Sequence, residues 1–369
     1  MKTRVAIACT GLGHINRGYE SFSLQLANTL SLYEDLDVVL FGGAYTSSLA
    51  SYEKVWCIKR HSKASRFLST LLQKNGYWIE QFSFGLFFWL RLLRYRPSVV
   101  IYSDFLLGVY LWHLRKLFGV KFKLLFSNGA PNWPPFSRMD HVHQLLPHYF
   151  SGSVERGVDP SFMTVIPYGI KYVDFPYGLS KKTLRQSLNL PTDKKIIISV
   201  GAINNSHKRM SYIVDEFASI RGEFDNYFLI LLGEMGEGSK DVICYAEVNL
   251  SSEEYLIRSV SAEEVSKYLY AADYFILASL HEGLPRVLPE ALSCGLMPIV
   301  HDYIVTRETL GEYGIYKDLT KTNQLKDAIS EIESRNLAPK VIAEYAKKTF
   351  DWVVLKDKYR SMIKKLADA

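Results

Sequence analysis

Short apolar runs recur along the chain, each closed by a glycine or polar turn and followed by a stretch with helical spacing. VAIACT, LDVVLF, SVVIYS and FKLLFS are four such runs in the first half; IIISVGA, YFLILLG, YFILASL and MPIVHD are four in the second. Runs of this length read as buried strands. Strands alternating with helices imply a parallel sheet covered by helices, here twice over. The segment 167–192 mixes proline, glycine and charge before a fresh strand, so the domain break is predicted there. The expected fold class is α/β: two Rossmann-like doubly wound domains facing across a cleft, residues 1–170 and 190–349. In the final stretch 350–369, the helical spacing of Trp352, Val353, Tyr359, Met362 and Ile363 predicts a helix that packs back on the first domain.

Within the second set of strands, HEGLPRVLPEALSCG (281–295) follows the run YFILASL. Pro289 has no N–H and clashes with a carbonyl four residues back, so a helix containing it must start at about Arg286 to Leu288. Gly295 then reads as its C-terminal stop. Glu282 therefore lies in the loop beyond a strand's carboxyl end, and Glu290 on the helix that follows. In open α/β sheets that crevice is where ligands bind.

A chain of 369 residues, 48% apolar and 22% charged, suits two ordered domains with cores of their own. The longest apolar runs, such as FSFGLFFWL at 82–90, are far shorter than the ~20 residues of a spanning helix. The N-terminal apolar patch reads as a first strand, being too short for a signal peptide. Cys9, Cys57, Cys244 and Cys294 are widely spaced, with neither a zinc pattern nor a disulfide framework, which points to a reduced cytoplasmic setting. The net charge of +6 is gathered in patches such as RLLRYR at 91–96 and HKR at 207–209. These suit anionic ligands or an anionic membrane surface; no recognisable nucleic-acid motif accompanies them, and nucleic acid is not expected as a partner.

Two loops carry candidate chemistry. After IIISVGA, a polar loop brings His207, Lys208 and Arg209 to a helix start, where two cations form a diphosphate clamp. An isolated Lys-Arg pair reads as a solvated loop; its partner loop at 281–290 changes the balance, since it offers turn amides for phosphate and carboxylates for sugar hydroxyls. Together they describe a nucleotide-sugar site. After the first strand, GLGHINRG places Gly11 and Gly13 in a tight turn before a helix starting near Asn16. A dinucleotide fingerprint needs glycine where Asn16 stands, so a nicotinamide enzyme is disfavoured, and the loop is either a ligand contact or a plain strand-to-helix turn.

The segment from about Ile196 to Pro298 resembles retaining glycosyltransferases of the GT-B fold, family 4 (glycosyl transferases group 1). VSKYLYAADYFILASLHEGLPRVLPEALSCGLMPIV looks like that family's strand and Glu-x7-Glu element, with Glu282 and Glu290 at the matching positions. TVIPYGI at 164–170 and GLGHINRG resemble its first-domain stretches. The resemblance implies that Glu290 holds the donor's ribose hydroxyls, that Glu282 lies near the donor sugar, and that Lys208 with Arg209 contacts the diphosphate as charge builds on it. It further implies donor contacts at Gly13 and around Gly283, Leu284, Pro285 and Arg286, of which Pro285 cannot donate. Transfer would proceed with retention, by front-side attack assisted by the departing phosphate. The donor is a nucleotide-diphosphate sugar used as co-substrate, with no tightly bound cofactor or metal; the acceptor is a carbohydrate or a lipid-linked molecule.

Two positions depart from the family. Ala202 stands where an arginine is usual, and Ser127 and Asn128 stand where a histidine is common; Asn128 takes the sugar-contacting place by that correspondence. They leave a catalytically silent sugar-nucleotide-binding partner open as an alternative, and a nucleotide-sugar epimerase, which would keep the fold and change the reaction, is a second. His14 and Asp104 are acceptor-side candidates. His141, His143 and His148 lack the acids or cysteines that would complete a metal site and read as structural or surface histidines. The aromatic stretch 75–97 with its three arginines is either a core helix of the first domain or an amphipathic helix touching the inner face of a membrane.

Overall fold

The computed structural model of the chain describes residues 2–15, 18–44, 51–129, 132–172, 180–221 and 226–369. The expected helix start at Asn16 and the centre of the 167–192 break lie outside these residues. The chain forms two compact units, one of Met1–Gly169 with Trp352–Ala369, the other of Ile170–Asp351.

The first unit is built on a parallel sheet of seven strands: β1 (Thr3–Cys9), β2 (Leu36–Gly42), β3 (Tyr52–Lys54), β4 (Val99–Tyr102), β5 (Lys123–Ser127), β6 (His141–Gln144) and β7 (Met163–Val165). Their order is β3-β2-β1-β4-β5-β6-β7. Val5, Ile7, Val100 and Leu124 are fully buried, as expected of strands covered on both faces. The helix Gly76–Tyr95 starts where Asn75 accepts a hydrogen bond from Trp78 N at 2.9 Å and ends where Arg96 turns left-handed. One face of it buries Phe84, Phe88 and Leu92 in the core, while Phe82, Leu86 and Leu90 on the other face are exposed. Among the described residues no helix is long and apolar enough to cross a membrane.

The C-terminal helix Trp352–Asp368 belongs to this first unit. Its buried stripe is Trp352, Leu355, Tyr359, Met362, Ile363 and Leu366. Val353, expected in that stripe, is 68% exposed. A one-residue step turns a helix by about 100°, which carries Val353 off the face its neighbour Trp352 occupies. Trp352 Nε1 donates to Gln25 Oε1 at 2.9 Å and its ring stacks on Phe22 at 5.9 Å, while Arg360 and Lys364 both pair with Asp35.

The second unit has six parallel strands: β8 (Lys195–Val200), β9 (Tyr227–Leu232), β10 (Tyr255–Arg258), β11 (Tyr274–Leu277), β12 (Pro298–His301) and β13 (Ile315–Lys317). Their order is β10-β9-β8-β11-β12-β13. The chain thus winds outward from β8 to β10, then crosses back to β11 on the other side of β8. That reversal is a topological switch point, and in open α/β sheets the ligand crevice lies beyond the carboxyl ends of the two strands that flank it. The register agrees: β8 matches β9 over six residues but pairs with β11 only at Tyr274↔Ile197 and Phe275↔Ile198. Past that point the two strands run on without pairing. Next to the crevice, Gly233 at the end of β9 lies so close to the Gly201 carbonyl that any Cβ there would overlap it.

Candidate functional site

The loops leaving β8 and β11 meet at the switch point. After β8, residues 201–209 lead into the helix Met210–Ile220. The Lys208 stem lies over Gly201, where an added Cβ would come within 2.9 Å of Lys208 Cδ, so the glycine leaves room for the side chain. Lys208 Nζ donates to Glu282 Oε1 on the β11 loop, and His207 Nε2 lies 3.1 Å from the same oxygen. The lysine and glutamate side chains are only 18% and 14% exposed, so the pair is partly shielded from water. Burial by itself would raise the Glu282 carboxyl. The charge and hydrogen bond of Lys208, with His207 and the Ser279 hydroxyl, outweigh it and hold the group below the usual carboxylate range.

The helix after β11 is Val287–Ser293, with Arg286 as its N-cap. Pro289 falls in its first turn, where no backbone hydrogen bond is lost, and Gly295 takes the left-handed φ of 78° just past its end. Glu290 projects from this helix with Arg286 Nη2 at 3.9 Å from its Oε1. Desolvation outweighs that cation and raises the Glu290 carboxyl above its ordinary range. Gly283 lies in the connecting loop, where Leu284, Pro285 and Arg286 are buried. The structure thus brings Lys208 to Glu282 and Arg286 to Glu290, one pair on each side of the turn.

Arg209 has a bracing role. Its Nη1 donates to the carbonyls of Ala278 at 3.2 Å and Leu319 at 2.8 Å, and its guanidinium lies 4.3 Å from the Tyr212 ring centre. It ties the β8 and β11 loops to the segment after β13. Ala202 is exposed at the mouth of the β8 loop.

In the first unit, Gly13 has the left-handed φ of 84° expected of a tight turn after β1. His14 Nε2 contacts Glu80 Oε1 at 2.8 Å. Glu80 has no exposed side-chain surface; it also accepts from Arg60 N at 2.9 Å and from Arg60 Nε at 2.6 Å. Burial would raise this carboxyl, yet the His14 and Arg60 bonds lower it. Glu80 and Arg60 escaped the sequence reading, although Glu80 is the only acid in the apolar stretch 75–97, a signal for a paired buried carboxylate. Asp104 is the N-cap of the helix Phe105–Phe118 and accepts from Tyr77 Oη at 2.9 Å.

Asn128, expected beside the donor sugar, lies in the core of the first unit. It is fully buried, its Nδ2 donates to Asn132 O and Gln144 Oε1, both at 2.9 Å, and its Oδ1 accepts from Asn132 N and Nδ2. A side-chain amide has two donor hydrogens and two acceptor lone pairs, so no capacity is left for a sugar hydroxyl. Asn128 locks the loop after β5. His143 is also a core residue, between Ser127 Oγ at 3.0 Å and the Ile166 carbonyl at 2.7 Å, and burial pushes its pKa down to about 4. His141 bonds Thr164 at 2.8 Å, and His148 packs edge-on against Trp133. Among the described residues no group of three or more His, Cys, Asp or Glu could hold a metal ion.

Residues 180–349 match the family model of the glycosyl transferases group 1. Among curated relatives, the chain is 26% identical over 214 residues to the phosphatidylinositol N-acetylglucosaminyltransferase GPI3 subunit of Saccharomyces cerevisiae, covering 54% of this chain and 45% of that protein. It is 26% identical over 184 residues to the putative teichuronic acid biosynthesis glycosyltransferase TuaC of Bacillus subtilis, covering 49% and 44%. The matched chain thus spans less than half the length of these relatives. Among solved structures, sucrose-phosphate synthase from Thermosynechococcus elongatus superposes with a TM-score of 0.79 at 18% identity, over 99% of both chains. Anabaena HepE in complex with UDP-glucose gives 0.73 at 12% identity, over 98% of this chain and 99% of that one. These likenesses show the fold: two parallel-sheet α/β units of the GT-B class.

Proposed function

We propose that this chain is a retaining glycosyltransferase of family 4, which takes a sugar from a nucleotide-diphosphate donor bound by the second unit and passes it to an acceptor contacted by the first. The observation that carries this reading is the Lys208–Glu282 pair at the β8/β11 switch point, with Glu290 on the helix that follows. The family match over that unit supports it, as do the names of the two curated relatives, one an N-acetylglucosaminyltransferase subunit and the other a glycosyltransferase of teichuronic acid biosynthesis. The complexes of HepE with UDP and UDP-glucose support a nucleotide-sugar donor.

In this scheme Lys208 is held ready by Glu282 until the donor diphosphate arrives. Its ammonium then shifts to the phosphate oxygens, where its attraction grows as the leaving group gains charge. Glu282, released from the lysine, accepts from a hydroxyl of the donor sugar. Glu290, whose side chain is 36% exposed, accepts from the ribose diol. The turn through Gly283, Leu284 and Pro285 frames the sugar and phosphate. His14 and Asp104 stay as acceptor-side candidates, with Gly13 in the turn beside His14. The products are a glycosylated acceptor and a free nucleoside diphosphate, with the acceptor's proton leaving on the departing phosphate.

The test is to incubate the protein with UDP, GDP, ADP and CMP sugars, with and without a pool of carbohydrate and lipid acceptors, and to follow the anomeric protons by NMR. Transfer with an unchanged anomeric configuration is the expected result. An inverted product would contradict retention, interconversion of the donor without acceptor would make the protein an epimerase, and binding without consumption would make it a silent partner.

A further inference from the structure

The helix Gly76–Tyr95 has an outer face that runs against the usual pattern. Phe82, Leu86, Leu90 and Leu93 are between 39% and 56% exposed. At about 100° per residue they fall within one quarter of the helix surface, opposite the buried Phe84 and Phe88. Phe87 widens this face and meets the exposed Trp56 edge-on at 5.0 Å. The neighbouring helix Phe105–Phe118 adds to it: its exposed Phe118 lies 5.7 Å from the Trp89 ring, with the exposed Leu117 beside it in sequence. Contiguous apolar exposure on this scale marks an interaction surface.

Charge selects the partner. From Lys59 to Lys123 the sequence holds twelve Lys and Arg but only two acids, Glu80 and Asp104, so this stretch alone exceeds the chain's net charge of +6. Glu80 is buried against His14 and Arg60, and Asp104 accepts from Tyr77. The exposed charges of the helix are Arg91 and Arg94, with the exposed Arg96 as its C-cap. Arg91 and Arg94 also line an open cavity with Arg4 and Lys54, whose two carboxylates, Asp37 and Glu53, lie within 3.7 Å of Arg4 and 3.8 Å of Arg91. Aromatic and aliphatic side chains bordered by arginines match the boundary between acyl chains and anionic headgroups.

We infer that this face of the first unit docks on an anionic bilayer, the apolar residues entering the interface and Arg91, Arg94 and Arg96 meeting the headgroups. The inference stands apart from the donor-site reading, because vesicle binding is measured with no donor present. The full chain is sedimented with vesicles of phosphatidylcholine alone and of phosphatidylcholine mixed with phosphatidylglycerol. Binding to the mixed vesicles, weakened by salt, and little to the neutral ones is expected. Replacing Arg91, Arg94 and Arg96 together with Gln should cut the affinity on the order of a hundredfold, at about fivefold per cation. Leu86→Ser, Leu90→Ser and Leu93→Ser combined, all exposed positions that leave the core intact, should cut it as well although every charge remains. Equal binding to both vesicle types, or wild-type binding by both variants, would overturn the inference. A dimer in solution that the triple serine variant converts to monomer would assign the face to a second copy instead.

Discussion

Asn128 illustrates what a single position can and cannot disclose. Its place after β5 is legible from the apolar run KLLFS, but the four hydrogen bonds that exhaust its amide depend on Asn132 and Gln144, which no local pattern links to it. Asn128→Ala should therefore act on stability, costing roughly 1–3 kcal/mol through the unpaired Gln144 carbonyl and Asn132 amide, and leave donor affinity as it was. Urea unfolding alongside donor titration checks both halves; weakened donor binding at unchanged stability would restore Asn128 to the site. Lys208 and Glu282 were legible for the opposite reason. Each lies just past the carboxyl end of an apolar run, and a parallel sheet gathers such loops at one edge. Their direct ion pair was not legible, since it depends on the lysine stem crossing Gly201.

At the scale of elements, strands that sit in an apolar run could be read and the mixed ones toward the sheet edges could not. β1, β2, β4, β5, β8, β9, β11 and β12 lie in apolar runs, whereas β3, β6, β7, β10 and β13 mix polar with apolar residues, as in HVHQ, and no apolar run frames them. Outer strands are less enclosed, so the hydrophobic signal thins there. The strand β6 carries a consequence for pH. His143 Nε2 faces the Ile166 carbonyl, which can only accept, so that nitrogen carries the proton and Nδ1 accepts from Ser127. The Tyr359 hydroxyl of the C-terminal helix closes the same cluster at 3.3 Å. Burial lowers His143 to about 4, and burial with Lys365 lowers His141 to about 4. Between pH 6.5 and 4 the unfolded chain binds protons that these folded histidines do not, so stability is whole above pH 6.5 and is lost as pH falls toward 4. Neutral His143 alone should account for about 2 kcal/mol between pH 7 and pH 5. Urea melts at those two pH values, compared with His143→Gln, check it: the variant should show a shallower dependence, and parallel slopes would contradict it.

For the whole molecule, two sheets of buried parallel strands give two units with separate cores, and the last helix is returned to the first unit by Trp352, Tyr359 and the Asp35 ion pairs. Removing the Trp352 ring should destabilise that unit by about 3–5 kcal/mol, as large buried aromatics do when truncated to alanine. An unfolding curve of Trp352→Ala that overlays the wild type would contradict the packing described. The central claim, however, concerns the second unit: its β8/β11 crevice holds a nucleotide-diphosphate sugar through Lys208. Calorimetric titration of the wild type and of Lys208→Ala with UDP, GDP, ADP and CMP sugars tests it most directly. At least one diphosphate sugar should bind the wild type, and the variant should bind it roughly 10- to 100-fold more weakly, as expected for a lost charge-assisted contact. If no such sugar binds, or if both proteins bind it equally well, the crevice is not the donor site.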